Sequence, residues 1–267
     1  MMPAVPSAAP AVELLEPSDR GRVYEMSRRV RLGDVDRTGR MRLDAVARLL
    51  QDIATDDASA ADLDRRFGWL VRRTLIETIR PASIGEPIEA ATWCTGIGRS
   101  WAERRTRIMG TRGAAIDAVS LWVQVAVRTG RPTRIASDFL DAFQDAAAGR
   151  TVSSKLALPA PDQRAASAGR WTVRRTDLDP FGHVNNAATW CFLEEVGGLD
   201  DTDRIGRAEI EYLRPIEHSD RELEVLVATD GEDGRMLAWL MSGEHTAAAA
   251  RWRPGLSLPD GDGVTTA

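Results

Sequence analysis

Ten consecutive residues concentrate the chemistry of this chain: Asp177-Leu178-Asp179-Pro180-Phe181-Gly182-His183-Val184-Asn185-Asn186. They stand where a strand-like run ends and a helical run begins. The first N–H groups of a helix have no internal partner and lie at the positive end of its dipole, so such a start can hold developing negative charge. Gly182 allows the backbone close to a ligand, and Asn185 or Asn186 can cap the helix. Asp179 sits beside this end, its backbone restricted by the following proline. A carboxylate so placed can activate water as a general base or attack directly as a nucleophile. His183 can orient water, polarise a carbonyl or protonate a leaving group.

The chain carries its own control for this turn, because it contains itself twice. Ile76-Glu77-Thr78-Ile79-Arg80-Pro81 resembles Ile210-Glu211-Tyr212-Leu213-Arg214-Pro215, and Gly33-Asp34-Val35-Asp36-Arg37-Thr38-Gly39 resembles Thr176-Asp177-Leu178-Asp179-Pro180-Phe181-Gly182. Two matching blocks in the same order indicate a duplicated domain. Asp36 occupies the place of Asp179, whereas Arg40 replaces His183 and Arg42 and Leu43 replace the two asparagines. The aspartate is shared; the histidine and asparagines belong to the second copy, which points to the second turn as the active one.

Each copy must then supply elements that position its turn. In the first, Tyr24, Met26, Val30 and Leu32 alternate with polar residues as in a half-buried strand. Leu43, Val46, Ala47, Leu50, Ile53 and Ala54 recur at helical spacing. Four β-rich runs follow, Trp69–Arg80, Pro87–Gly96, Trp101–Met109 and Ile116–Thr129, separated by turn residues. The second copy repeats the order: a strand at Trp171–Arg175, a helix at Asn186–Val196, and strands at Ile205–Leu213, Leu223–Ala228, Met236–Met241 and His245–Trp252. One helix followed by a run of strands implies an α+β arrangement, an antiparallel sheet with a helix on one face. The expected organisation is a tail at 1–19, a first domain at 20–145, a connector at 146–169, a second domain at 170–254 and a tail at 255–267.

Composition narrows the function classes. The 267 residues are 43% hydrophobic and 28% charged, with a formal net charge of −5. That balance disfavours a general nucleic-acid binder. The two cysteines, Cys94 and Cys191, exclude a disulfide framework, and the three histidines are too scattered for a metal cluster. No metal site is expected. No run approaches the ~20 apolar residues of a membrane span, and the N-terminus lacks a signal-peptide pattern, so a reduced, cytoplasmic protein is expected.

The Asp-x-Asp-x-x-Gly-His-Val-Asn-Asn string of the second copy resembles the signature of hotdog-fold thioesterases. With Asp36-Arg37-Thr38 ahead of the long helix, Leu49-Leu50-Gln51 within it and Trp69-Leu70-Val71-Arg72-Arg73 after it, the layout resembles the acyl-acyl carrier protein (acyl-ACP) thioesterases of plants and bacteria. The resemblance covers roughly residues 22–253. It implies a tandem double hotdog, each sheet wrapped around a central helix. It further implies hydrolysis of a fatty acyl thioester to free acid and carrier thiol, terminating or editing fatty acid synthesis, without cofactor. The second domain would be catalytic and the first would shape the acyl pocket.

Residue by residue, Asp179 and His183 match. Phe181 stands where plant members have Asn, and Pro215-Ile216 where they have an acidic residue and Cys. The Asp-Pro-Phe-Gly-His string also resembles simpler bacterial acyl-CoA hotdog thioesterases, in which the Asp is the central group. The expected roles are therefore Asp179 as base or nucleophile, His183 and Asn185 as orienting groups, and the Gly182–Val184 backbone with the helix start as oxyanion donors. Phe181, Asn186, Trp190 and Trp69 are expected to touch substrate.

Acyl-ACP is the leading substrate reading and acyl-CoA the alternative. A non-catalytic acyl-thioester-binding protein and a hydratase are further classes, the latter disfavoured by the motif. A fused pair of hotdogs still leaves surfaces on which two chains can pair. Cys191 and Cys94 read as core residues and Glu194 and Glu195 as an exposed helix face. The shared place of Glu77 and Glu211 suggests a structural role. Arg28, Arg29 and Arg31, and Arg99, Arg104, Arg105 and Arg107, form clusters that could steer an acidic carrier.

Overall fold

The computed structural model describes residues 13–196, 205–231 and 234–254. In the first copy, β1 (Val23–Arg29) precedes α1 (Leu43–Ala60), followed by β2 (Phe67–Arg80), β3 (Pro87–Ile97), β4 (Trp101–Gly110), β5 (Ala115–Ala126) and α2 (Ser137–Ala147). In the second, β6 (Ala166–Thr172) precedes α3 (Trp190–Val196), followed by β7 (Ile205–Tyr212), β8 (Glu222–Asp230), β9 (Arg235–Ser242) and β10 (His245–Pro254). The ten strands of the described residues form one antiparallel sheet in the order β1-β3-β4-β5-β2-β7-β10-β9-β8-β6. The order reads the same from either end once β6–β10 are set against β1–β5. The α+β double hotdog expected from the sequence is the observed architecture.

The two copies join at β2 and β7, which pair from Arg73↔Glu211 to Glu77↔Arg207. Along this seam Thr74, Ile76, Ala208 and Ile210 alternate with Arg73, Leu75, Glu209 and Glu211, so the two sets point to opposite faces. The inner face packs on the helices. Leu49 and Ile53 of α1 are fully buried in one continuous core that also holds Phe192 and Leu193 of α3 and Leu240 of β9. Each such side chain contributes about 1.5–3 kcal/mol by leaving water.

The outer face carries charge, and buried charge must be paired. Arg73 bonds Glu103, which also takes Arg150 at 2.7 Å. Glu211 accepts the amides of Ala157 and Leu158 at 2.6 and 3.0 Å, and Trp239 Nε1 donates to Pro159 O. The connector is thus strapped across the sheet by the groups it covers. This gives Glu211 a structural role; burial raises its pKa against the lowering pull of the two amides.

Several details differ from the sequence reading. Residues 13–19, assigned to a tail, lie against the first copy: Trp93 Nε1 donates to Leu15 O, and Glu16 pairs with Arg105 and Arg107. Residues 1–12 and 255–267, the rest of the expected tails, lie outside the described residues. Helix α2, whose alternation is masked by Ala and Asp, packs Phe139 and Phe143 with Cys94, Ala102, Trp69 and Leu63. Strand β6 starts before Trp171 because Ala166–Gly169 pairs with β8 through backbone alone. Arg104 and Arg105 are buried and paired with Asp57 and Asp117, so they brace the fold rather than face a carrier.

Candidate active site

The two turns are built alike. Asp179 Oδ1 accepts the amides of Phe181 (2.9 Å) and His183 (3.1 Å), while Asp179 N donates to His183 O. Asp36 Oδ1 accepts the amides of Thr38 (2.8 Å) and Arg40 (3.0 Å) in the same way. Gly182, with φ at +83°, and Gly39, at +78°, take the left-handed step that closes each turn. One oxygen of each aspartate therefore fixes its own loop. Just upstream, the buried Asp177 ties back to Arg174 N at 2.8 Å as Asp34 does to Arg31 N.

The backbone donors fall differently from the sequence reading. Gly182 N donates to Asp179 O and Val184 N to Ile216 O at 2.7 Å, so neither faces a ligand. Asn185 caps the turn that leads into the helix: its Oδ1 accepts Ala187 N at 2.8 Å. The next turn is wound tightly, with Trp190 N on Ala187 O and Cys191 N on Ala188 O. This i→i+3 winding starts α3 at Trp190 rather than at Asn186. It leaves the amides of Asn186 and Ala188 without a hydrogen bond among the described residues.

Asn186 and Ala187 line a narrow gap between the two copies, closed by Ala47, Leu50 and Gln51 of α1, Val71 and Thr74 of β2, Ser120 and Trp122 of β5, and Tyr212 of β7. The space open to the centre of a water molecule is about 10 Å³, close to one water. Its polar wall is ordered: Thr74 and Ser120 hydroxyls bond at 3.2 Å. Tyr212 Oη donates to Asn186 O at 3.1 Å and accepts Trp190 Nε1 at 2.9 Å. Trp190 is fully buried beneath the gap and holds that tyrosine; Trp69 meets Phe139 in a tilted contact, ring centroids 4.7 Å apart, beside the small core around α2. Phe181 is 73% exposed at the tip of the turn.

His183 forms an antiparallel bridge with Glu217, which sets the two side chains on one face. Glu217, two residues beyond the Pro215 departure, was not legible as a partner until this pairing was known. Glu194 is the other residue that the sequence misplaced. It is not on an exposed face: its Oε1 accepts Leu43 N, the first amide of α1, at 2.7 Å across the seam. Burial, with Asp44 and Asp36 nearby, raises its carboxyl to about 7. Cys191 lies in the same pocket of charge, and burial pushes its thiol up to about 12, which makes it a poor nucleophile. Cys94 is likewise pushed up to about 11 by burial.

Residues 21–143 match the model of the acyl-ACP thioesterase N-terminal domain and residues 161–253 that of the C-terminal domain. The chain belongs to the acyl-ACP thioesterase family. An uncharacterised protein of Mycobacterium tuberculosis is 28% identical over 90% of this chain and 95% of its own length. The 12:0-ACP thioesterase of Umbellularia californica superposes with a TM-score of 0.70 at 20% identity, covering 87% of this chain and 97% of that one. An acyl-ACP thioesterase of Bacteroides thetaiotaomicron gives 0.68 at 17% identity, covering 87% and 98%. Among acyl-ACP thioesterases the shared architecture is the tandem sheet, and membership supports acyl thioester hydrolysis. Among the described residues no cluster of His, Cys, Asp and Glu could hold a metal, and no helix is long and apolar enough to cross a membrane.

Proposed function

We propose that the protein hydrolyses fatty acyl thioesters of acyl carrier protein, releasing the free acid and so terminating or editing chain synthesis. The observation that carries this reading is the pair of family domains, matched in order, with the Asp-x-Asp-x-x-Gly-His-Val-Asn-Asn turn on the second. Asp179 acts as the base toward water, or attacks the thioester carbonyl itself, through the carboxylate oxygen that its loop does not use. The carbonyl oxygen, as it gains charge, is held by the unpaired Asn186 amide. His183 lies on the turn beside Asp179 and orients the water or the departing thiol, with Glu217 opposite it. Asn185 supports the site by capping, and Tyr212 by fixing the Asn186 peptide. Phe181, exposed at the tip, meets the carrier arm in this reading.

An acyl-CoA substrate is the second reading, favoured by Phe181 and Pro215, where the plant polar network is missing. Steady-state release of thiol from matched acyl-ACP and acyl-CoA, over a range of chain lengths, separates the two. A preference for CoA beyond tenfold, about 1.4 kcal/mol in transition-state binding, would overturn the carrier-protein reading. Tight binding without turnover would identify an acyl-thioester-binding protein instead.

A further inference from the structure

The duplication assigns a role to a residue on the opposite copy from the catalytic turn. The offset that sets Asp36 on Asp179 (179 − 36 = 143) also sets Leu43 on Asn186, Leu50 on Leu193 and Gln51 on Glu194. Each helix therefore presents one polar side chain, at matching positions, toward the start of the other. On one side of the pseudo-twofold, Glu194 reaches across the seam and its carboxylate oxygen occupies the Leu43 amide at 2.7 Å. That side is filled by the protein itself.

On the other side the equivalent pair is Gln51 and Asn186. Both line the water-sized gap. Among the described residues neither the Gln51 side-chain amide nor the Asn186 N–H has a hydrogen-bond partner. The bond made by Glu194 shows an oxygen atom seated at the pseudo-equivalent position, beside Leu43 N. Here no side-chain oxygen occupies the Asn186 amide among the described residues, and Gln51, unlike Glu194, brings a neutral side chain with an NH2 donor to the gap.

We propose that Gln51 is the second donor to the thioester oxygen in the site around Asp179. Its side-chain amide and the Asn186 N–H together bind the oxyanion. This deepens the proposed hydrolase reading and rests on it. Exchanging the Gln51 amide for a carboxylate would close the site as Glu194 closes its counterpart. The carboxylate would take the Asn186 amide and repel both Asp179 and the developing oxyanion. Of the two equivalent amides, that of Leu43 is thus taken by Glu194, while that of Asn186, beside Gln51, is left open.

Thiol release from dodecanoyl-CoA and from acyl-ACPs of several chain lengths tests this, with wild type, Gln51→Ala, Gln51→Glu, Glu194→Gln and Asp179→Asn, each checked by thermal melting. Removing one oxyanion donor should lower kcat about 10²- to 10³-fold with little change in KM. Gln51→Glu, nearly isosteric and so a safeguard if the alanine variant fails to fold, should be as inactive near pH 8. It should regain activity as the pH falls and its carboxyl becomes a neutral donor. Glu194→Gln should keep wild-type kcat. Full kcat in a folded Gln51→Ala or Gln51→Glu protein, while Asp179→Asn is silent, overturns the role of Gln51 and leaves the hydrolase reading intact. A KM effect alone, or a Gln51→Glu defect that does not change with pH, overturns it equally. Silence of the wild type on every substrate overturns both.

Discussion

Replacing Glu194 by Gln should change how stability depends on pH, by an amount the surroundings of this residue set. In the fold its carboxyl titrates near 7, chiefly because it is buried, with Asp44 and Asp36 adding repulsion and the Leu43 amide and Arg42 opposing it; in the unfolded chain it titrates near 4.5. Cys191 faces it as well, neutral throughout this range. A group whose pKa is raised by folding stabilises the fold fully below its unfolded pKa. That contribution is lost as the pH climbs to its folded value. At 1.36 kcal/mol per pH unit, the interval from 4.5 to about 7 is worth about 3 kcal/mol. For a chain of this size that is roughly 6–12 °C in melting temperature. Glutamine keeps a carbonyl for Leu43 N and has no charge to lose. Melting both proteins at half-unit steps from pH 4 to 8.5 should show nearly constant curves for the variant relative to the wild type below pH 4.5. A gap in the variant's favour should then open up to about pH 7 and stay flat beyond. A gap that does not depend on pH, or one that favours the wild type at high pH, would refute the buried, reluctantly ionised carboxyl.

Other parts of the structure make separate demands. Tyr212→Phe removes the acceptor for the buried Trp190 Nε1 and the donor to Asn186 O; about 1–3 kcal/mol of stability should be lost in urea unfolding, with kcat falling as the Asn186 peptide loosens. Asp57→Ala leaves the buried Arg104 guanidinium short of its partner and should cost about 3–5 kcal/mol. Cys191 should react with iodoacetamide in the native protein far more slowly than a free thiol at pH 8, since burial holds it protonated up to about 12, and Cys191→Ser should retain activity.

The legible parts of the fold were those with a period. Apolar spacing from Leu43 to Ile53 placed α1, and the repeated Glu-x-x-Arg-Pro blocks placed β2 and β7, which turned out to be the seam itself. What escaped had a common cause: it depends on a partner distant in sequence. Strand β6 is set by pairing with β8 along a small-residue stretch with no pattern of its own. Glu194 looks like any polar residue on a short helix until Leu43, 151 residues earlier, is brought against it. The Gly182 and Val184 amides look free until the bridge to Ile216 and the closed turn use them. Extending the repeat alignment into the helices would have set Gln51 on Glu194, but not revealed that both cross the seam.

The shared aspartate gives the sharpest separation of structure from catalysis. Asp36 and Asp179 accept equivalent pairs of backbone amides in turns of the same shape, and Asp36 takes the Thr38 hydroxyl at 2.7 Å besides, so their scaffolding work is closely similar. Substituting either by Asn should therefore cost a similar, small amount of stability, about 1 kcal/mol for the weakened charge-assisted bonds. Their surroundings differ in what an oxygen can reach. Asp36 lies near an amide already taken by Glu194, whereas Asp179 precedes the unpaired Asn186 amide at the gap. If Asp179 is the base, its Asn variant should lose about 10²- to 10⁴-fold in kcat while Asp36→Asn keeps it. Equal loss in both would show that the turn, rather than the carboxylate, is what catalysis requires. Equal retention would move the chemistry away from the second copy altogether.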